Sequence, residues 1–414
     1  LRSKITLLLA AAVILLSLAG CSSPGSKLTQ EQRAEDFEYM WAIMEQNYPF
    51  FEVNRRLTGT DWLANKEKYK KRVIAAGTDL EFLRNIDDVL RELHNKHTIL
   101  YGSGTYDYYL DSLYTSPIAQ DPWSKLLYQP EVLKRYGRSP SAEPHKPAKP
   151  TGAGNKSALN SATDSRAQEN VLQRIIEAGQ TAYLAIHSFS SEHLSQDIPV
   201  ISKFLAEVQD YKTLILDIRG NLGGNSAYWQ DVLVPLLITE PVRYDTYTLY
   251  RGGSYAQPFL EARGLATGMR PIAELAEEHL PLLPPESLTM FETYQKLSMQ
   301  INPRGRGFQG KLYLLVDHEV FSASEGLAAL AKSTGIATLA GERTGGDGLG
   351  IDPVIAVMPN SKAVFSFSLE MGLMPDGSCN EEMKTVPDIE VDPDRSRPLL
   401  EQPAILKILE LERN

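Results

Sequence analysis

The sequence predicts an α/β fold in which a helical N-terminal region precedes a larger domain built on a mostly parallel sheet. Two observations carry this. Before about residue 100, apolar residues recur at helical spacing; after residue 171, short and nearly continuous apolar runs alternate with helical stretches. Strand, helix and strand in that order make a right-handed crossover, so functional groups are expected at the carboxyl ends of the parallel strands.

At the start, Arg2 and Lys4 precede an apolar run from Ile5 to Leu16, and Leu18-Ala19-Gly20-Cys21 follows. The run is short for a membrane span and ends in small residues, so residues 1–20 read as a signal peptide. The ending resembles the bacterial lipobox. That resemblance implies acylation of Cys21, an extracytoplasmic location and a lipid anchor in a bacterial membrane, with residues 21–27 as tether.

In residues 28–100, Phe37, Met40, Trp41, Met44 and Tyr48 predict a helix that Pro49 stops. Phe82, Leu83, Ile86, Val89, Leu90 and Leu93 predict a second, running up to His94-Asn95-Lys96-His97-Thr98. Residues 101–137 are tyrosine-rich and fit no single pattern. Residues 138–170 turn to Pro, Ser, Ala, Gly and Lys and predict a disordered linker, because they bury too little apolar surface to offset ordering. The α/β domain, 171–395, is expected to hold strands at 183–186, 213–217, 312–316 and 336–340. Helices at 198–208 and 322–333 connect them, and a hairpin at 354–358 and 363–369 follows. Residues 396–414 read as a C-terminal helix.

Length and composition allow a large core beside a smaller one. The formal charge is −10, and losing Arg2 and Lys4 with the signal peptide makes it two units more negative. No basic patch interleaved with aromatics appears, so nucleic acid is not an expected partner. Cys379 would then be the one thiol beside Cys21, so stability outside the cytoplasm rests on packing and not on an internal disulfide.

Two segments carry candidate chemistry. Ser322 stands where an apolar strand gives way to a helix, a position where the Ala323 N–H and the helix N-terminus favour a developing anion. Ser322-Ala323-Ser324-Glu325 also fits the capping box S-x-x-E, so the serine is either a cap or a nucleophile. Asp217-Ile218-Arg219-Gly220-Asn221-Leu222-Gly223-Gly224 closes another strand, and its paired glycines permit close backbone approach or a plain turn. No Gly-Lys-Ser/Thr follows, which excludes a phosphate loop.

In chain order, L-I-L-D-I-R-G-N-L-G-G, F-S-A-S-E-G, A-G-E-R-T-G-G and V-P-D-I-E-V resemble the tail-specific, or C-terminal processing, serine peptidases, a family that includes the tricorn protease. L-H-N-K-H-T resembles the histidine motif ending that family's helical region, and the resemblance spans most of residues 30–395. It implies a crotonase-like (ClpP/crotonase) peptidase core and a serine-type endopeptidase acting through an acyl-enzyme. Ser322, and not Ser324, would be the nucleophile, with oxyanion donors on Ala323 and Gly224 and Gly223 as the alternative. Many relatives use a lysine base in a G-K-G turn; here Gly345-Gly346-Asp347-Gly348 stands there, with no lysine between Lys332 and Lys362. The tricorn branch instead implies His97 as base and Glu381 as the carboxylate orienting it, with Glu382 one register away. Where that branch has an assisting serine before its histidine, this chain has Lys96. A PDZ domain would fall between His97 and Tyr183, where too little ordered sequence remains, so none is expected.

Imidazole suits a base near neutral pH. His94 and His97 could otherwise be surface residues or an H-x-x-H metal pair, though no third ligand cluster accompanies them. No metal and no cofactor are expected; the expected partners are a peptide or protein substrate and, through Cys21, a membrane. Asp217 and Arg219 are expected to brace the oxyanion loop, Glu342 and Thr344 to shape the groove, and Cys379 to be inert. The competing readings are a catalytically silent binding lipoprotein and a non-peptidase hydrolase on related architecture.

Overall fold

Thr29 and Gln32 form a reciprocal capping box that starts the first helix, Gln30–Asn47, in the computed structural model, which describes residues 27–113, 121–139 and 169–413. The expected signal peptide, Cys21, nearly all of the tether and most of the linker lie outside the described residues. Phe37, Met40, Trp41 and Met44 are buried on one face of this helix, and Trp41 stacks on Trp62 at 4.1 Å. Thr78 caps the helix Asp79–Arg91, which buries Phe82, Ile86, Val89 and Leu90. His94 then adopts φ 53°, turning the chain out of the helical path and toward the larger domain. Ile99–Leu100 continues as a short strand paired with Val364–Phe367.

The tyrosine-rich stretch forms three short helices, Ser103–Tyr108, Pro122–Leu127 and Pro130–Arg135, with a π-helical segment at Tyr109–Leu113. Arg138, at the expected linker's edge, pairs with Asp107 at 2.8 Å.

The central sheet has six strands in the order Ile389–Glu390, Thr338–Gly341, Lys311–Val316, Thr213–Asp217, Thr181–Ile186 and Val171–Glu177. All pairings are parallel except the last. Every residue of Thr181–Ile186 and Thr213–Asp217 is buried, as expected for strands covered on both faces. One cover includes Leu194–Val208 and Ala323–Thr334; the other is Pro403–Arg413, whose Ala404, Ile405 and Ile408 pack on Tyr183, Ile215 and Leu315.

The sequence pattern did not disclose a second sheet. Val242–Tyr250 and Thr293–Ile301 pair along their whole length, flanked by Arg270–Pro271 and Glu370–Leu373. Thr246 and Thr248 are buried among tyrosines in the first of these strands, so its polar residues do not mark a solvent face. One apolar cluster unites the N-terminal helices with this sheet and with the hairpin Val354–Val357 and Val364–Phe367. The helical region therefore shares a core with the α/β part. Among the described residues, no helix is long and apolar enough to cross a membrane.

Candidate active site

Ser322 follows the strand Lys311–Val316, buried from Tyr313 onward, and a short turn, and its backbone takes φ 57° and ψ −127°. A non-glycine residue there is strained by about 1–3 kcal/mol, a cost that persists where the surrounding structure enforces it. The enforcement is visible: Ser322 N–H donates to the Gly346 carbonyl at 3.3 Å, and Gly345 N–H donates to Val320 at 2.7 Å. The capping box does not form. Ser322 makes no side-chain cap bond, and Glu325 accepts from Asn380 and Thr385, each at 2.7 Å. Ser324 takes the local structural role: buried, it accepts from Phe321 N–H at 3.0 Å and lies 2.5 Å from the Asn221 carbonyl.

The Ser322 Oγ is 3.1 Å from His97 Nε2, although 225 positions separate them in sequence. His97 is held by its own N–H donating to Asn95 Oδ1 at 3.1 Å and by Ser366 Oγ donating to its carbonyl at 2.6 Å. Its ring lies 4.4 Å from that of Phe321. On the far side, His97 Nδ1 lies 2.8 Å from Asp347 Oδ2. An ionised carboxylate accepts only, which assigns the proton to Nδ1 and leaves Nε2 to accept from the serine.

Asp347 was read from the sequence merely as the residue replacing lysine; in the structure it is the carboxylate on the histidine ring. Gly346 at φ 92° and Asp347 at φ 50° turn its side chain inward. Oδ2 also accepts from Asn95 Nδ2 at 2.9 Å and Ser368 Oγ at 2.5 Å. Burial opposes its charge, yet the bonds from His97, Ser368 and Asn95 hold its carboxyl below the usual range.

The expected orienting residue, Glu381, does not contact the ring. Its Oε1 accepts from Asn95 Nδ2 at 3.0 Å, and its Oε2 has no partner among the described residues. Burial, followed by the charge of Asp347, pushes the Glu381 carboxyl well above its ordinary range. Two carboxylates bonded to one amide nitrogen repel, so the charge of the pair rests on Asp347. Glu382 is bound instead by Arg56, at 2.6 Å.

Gly223 and Gly224 take φ 96° and 135°. A Cβ on Gly223 would lie 2.7 Å from the Phe321 carbonyl and 2.8 Å from Ala323 N, so only glycine lets this turn pack on the serine. Gly223 N–H donates to Asn221 Oδ1 at 2.9 Å. Among the described residues no hydrogen bond occupies the N–H of Gly224 or Ala323, which suits this pair to an oxyanion. Beneath the turn, Asp217 and Arg219 form a buried pair at 2.5 Å, and Arg219 also donates to Gln402 at 2.7 Å.

Lys96 does not approach the serine through a hydrogen bond. Its Nζ donates to the His318 carbonyl at 3.1 Å and lies 5.1 Å from the Phe321 ring centre. Burial and then nearby Lys384 lower its pKa. His94 bonds Asn54 at 3.2 Å, apart from His97. No group of three or more His, Cys, Asp or Glu among the described residues could hold a metal ion. Cys379 is buried, and burial pushes its thiol pKa up. Glu342 pairs with exposed His318, and Thr344 is buried against Thr385; neither lines the cavities at the serine, where they were expected to shape the groove.

Two cavities meet at the serine. One, about 410 Å³, is lined by residues including Ser191, Asn225, Ser226 and Arg263. The other, about 500 Å³, is lined by residues including Tyr108, Tyr109, Leu222 and Phe321. Sequence reasoning missed Asp347, Asn95 and Ser368; the one signal was an acid between glycines where the resemblance implies a lysine.

Residues 180–391 match the family model described as Peptidase family S41, and residues 29–94 match the Tricorn protease C1 domain. No curated protein matches the chain. Among solved structures, a candidate peptidase from Parabacteroides merdae shares 18% identity, covering 94% of this chain and 98% of that one, with a TM-score of 0.57. Mature CPAF complexed with lactacystin shares 12% identity, covering 87% of this chain and 94% of that one, with a TM-score of 0.55. At these identities the likeness is one of fold: mixed α/β sheets with a helical N-terminal region.

Proposed function

The chain belongs to peptidase family S41, the tail-specific serine peptidases, and from that premise we propose that it is an endopeptidase acting through an acyl-enzyme on Ser322. The observation that carries this reading is His97 bridging Ser322 at 3.1 Å and Asp347 at 2.8 Å. Ser322 Oγ attacks the scissile carbonyl carbon while its proton passes to His97 Nε2. The carbonyl oxygen becomes an anion held by the N–H groups of Gly224 and Ala323. The C–N bond then breaks, and the proton moves from Nε2 to the departing amine. Water attacks the ester with His97 again as base, releasing the acid and restoring Ser322. Asp347 faces the imidazolium formed in each half and holds the ring in the required tautomer; Glu381 acts one step back, through Asn95.

The core is read as crotonase-like and without a PDZ domain. The support is the serine's place after a parallel strand, and the short helices and sheet strands that make up the described part of the interval from His97 to Tyr183. An N-terminal lipid on Cys21 and an extracytoplasmic location remain part of the proposal, resting on the Leu-Ala-Gly-Cys sequence.

The test is reaction with a fluorophosphonate followed by peptide mapping. Labelling of Ser322 that is lost in Ser322→Ala and strongly slowed in His97→Ala is expected. Absence of labelling at Ser322 in folded protein would leave the silent binding lipoprotein as the better reading.

A further inference from the structure

The serine opens on two cavities that differ in lining, and both lie within reach of a peptide bound for cleavage. With its carbonyl oxygen toward Gly224 and Ala323, an extended chain leaves Ser322 in two directions, advancing about 3.3–3.6 Å per residue. That reach brings the residues flanking the cleaved bond within range of both cavities, which share Ser322, His97 and Gly224. Resting on the hydrolase reading above, we propose that the cavity lined by Tyr108, Tyr109, Leu222 and Phe321 is a subsite for a large apolar side chain, and that substrates are peptides carrying such a residue beside the cleaved bond.

Three observations favour an apolar occupant. Leu222 keeps 61% of its surface exposed although its neighbour Asn221 is fully buried, and Tyr108 keeps 41%. Apolar surface held open on the rim of a reactive cleft gains from being covered by an apolar group. Next, the charges at this cavity are already engaged. Asp352 lines both cavities, but its carboxylate is paired with Arg263, which lines the polar one, so a basic side chain would have to compete for it. Lys96 bonds the His318 carbonyl and lies over the Phe321 ring. Finally, the volume of about 500 Å³ accommodates a leucine or phenylalanine side chain beside the backbone that carries it. The other cavity adds the hydrogen-bonding groups of Ser191, Asn225 and Ser226 and lacks Leu222 and the two tyrosines.

The experiment uses quenched fluorogenic hexapeptides with Leu, Phe, Asp or Lys placed in turn at each position, with cleavage sites read by mass spectrometry. A fixed position next to the cleaved bond is expected to prefer Leu or Phe over Asp by about tenfold or more in kcat/KM, the scale of apolar pocket discrimination. In Leu222→Asp that ratio should fall toward one, with Lys gaining. Because it is a ratio within one variant, it is independent of any general slowing caused by disturbing the oxyanion turn. Peptides of the same sequences carrying a single fluorophore and no quencher are titrated by fluorescence anisotropy against Ser322→Ala and Ser322→Ala/Leu222→Asp, so the subsite is tested even where no peptide is cut. Binding preference without hydrolysis would sink the peptidase reading and keep the subsite. Wild-type protein with no apolar preference in cleavage or binding, or Leu222→Asp retaining it, overturns the subsite.

Discussion

Ser322 occupies a backbone conformation that glycine adopts far more easily, and its side chain neither caps the helix nor packs in the core. Ser322→Gly should therefore abolish hydrolysis while stabilising the fold by on the order of 1 kcal/mol, the relieved strain exceeding glycine's entropy cost. A urea midpoint no higher than wild type would show that the turn is not strained. The neighbouring carboxyls separate in the same way. Asp347→Asn cannot hold the Nδ1–H tautomer and should lower kcat by about 10⁴-fold, as loss of the equivalent carboxylate does in a Ser-His-Asp triad. Glu381→Gln keeps a neutral acceptor for Asn95 and should cost much less. If Glu381→Gln proves the deader variant, the orienting role belongs to Glu381. His97 and Ser322 were legible in the sequence because they sit in local motifs. Asp347 was not, since an acid between glycines says nothing of which side chain its turn will meet.

Among elements, the strand Glu370–Leu373 anchors the loop that lines the cleft. Glu370 is buried and accepts a hydrogen bond from Ile351 N–H, two residues from Pro353. Burial, with the nearby charge of Asp347 adding to it, pushes the Glu370 pKa up to about 8. A carboxyl whose folded pKa is raised binds its proton more tightly in the folded state. Its contribution is thus fully present below the ordinary carboxyl range and is lost as pH rises through about 8. Wild-type melting temperature should fall between about pH 5 and pH 8 relative to Glu370→Gln, which carries no titrating proton there. Parallel melting curves for the two proteins would show that Glu370 does not titrate in that window. The strand itself escaped the sequence reading, which treated 363–369 as the end of a hairpin. Its register against Val242–Tyr250 is set by a partner more than a hundred residues away.

Across the whole molecule, His97 and Ser322 arrive on separate parts of the chain, and a shared core helps fix their distance. Phe37, Trp41 and Phe82 belong to the same apolar cluster as Leu249, Val354 and Phe365. The chain should unfold in one calorimetric transition, and residues 27–139 expressed alone should show no cooperative melt, because their apolar face would lose its cover. Two resolved transitions, or a stably folded fragment, would mean that the helical region is an independent domain. Anchoring is a separate matter of the whole protein. Cys21→Ser removes the thiol that acylation needs and should release the protein from membranes under carbonate wash; retention would overturn the lipobox reading.

The sequence by itself determined four of the parallel strands, the helix after Ser322, the paired glycines and the family, because each is written in contiguous residues with a local physical cause. Only the tertiary structure decided which carboxylate faces His97, whether Ser322 caps its helix, and where the second sheet lies. Those outcomes depend on positive-φ turns and on pairings between distant segments. A string of residues specifies such contacts only after the whole chain has found its packing.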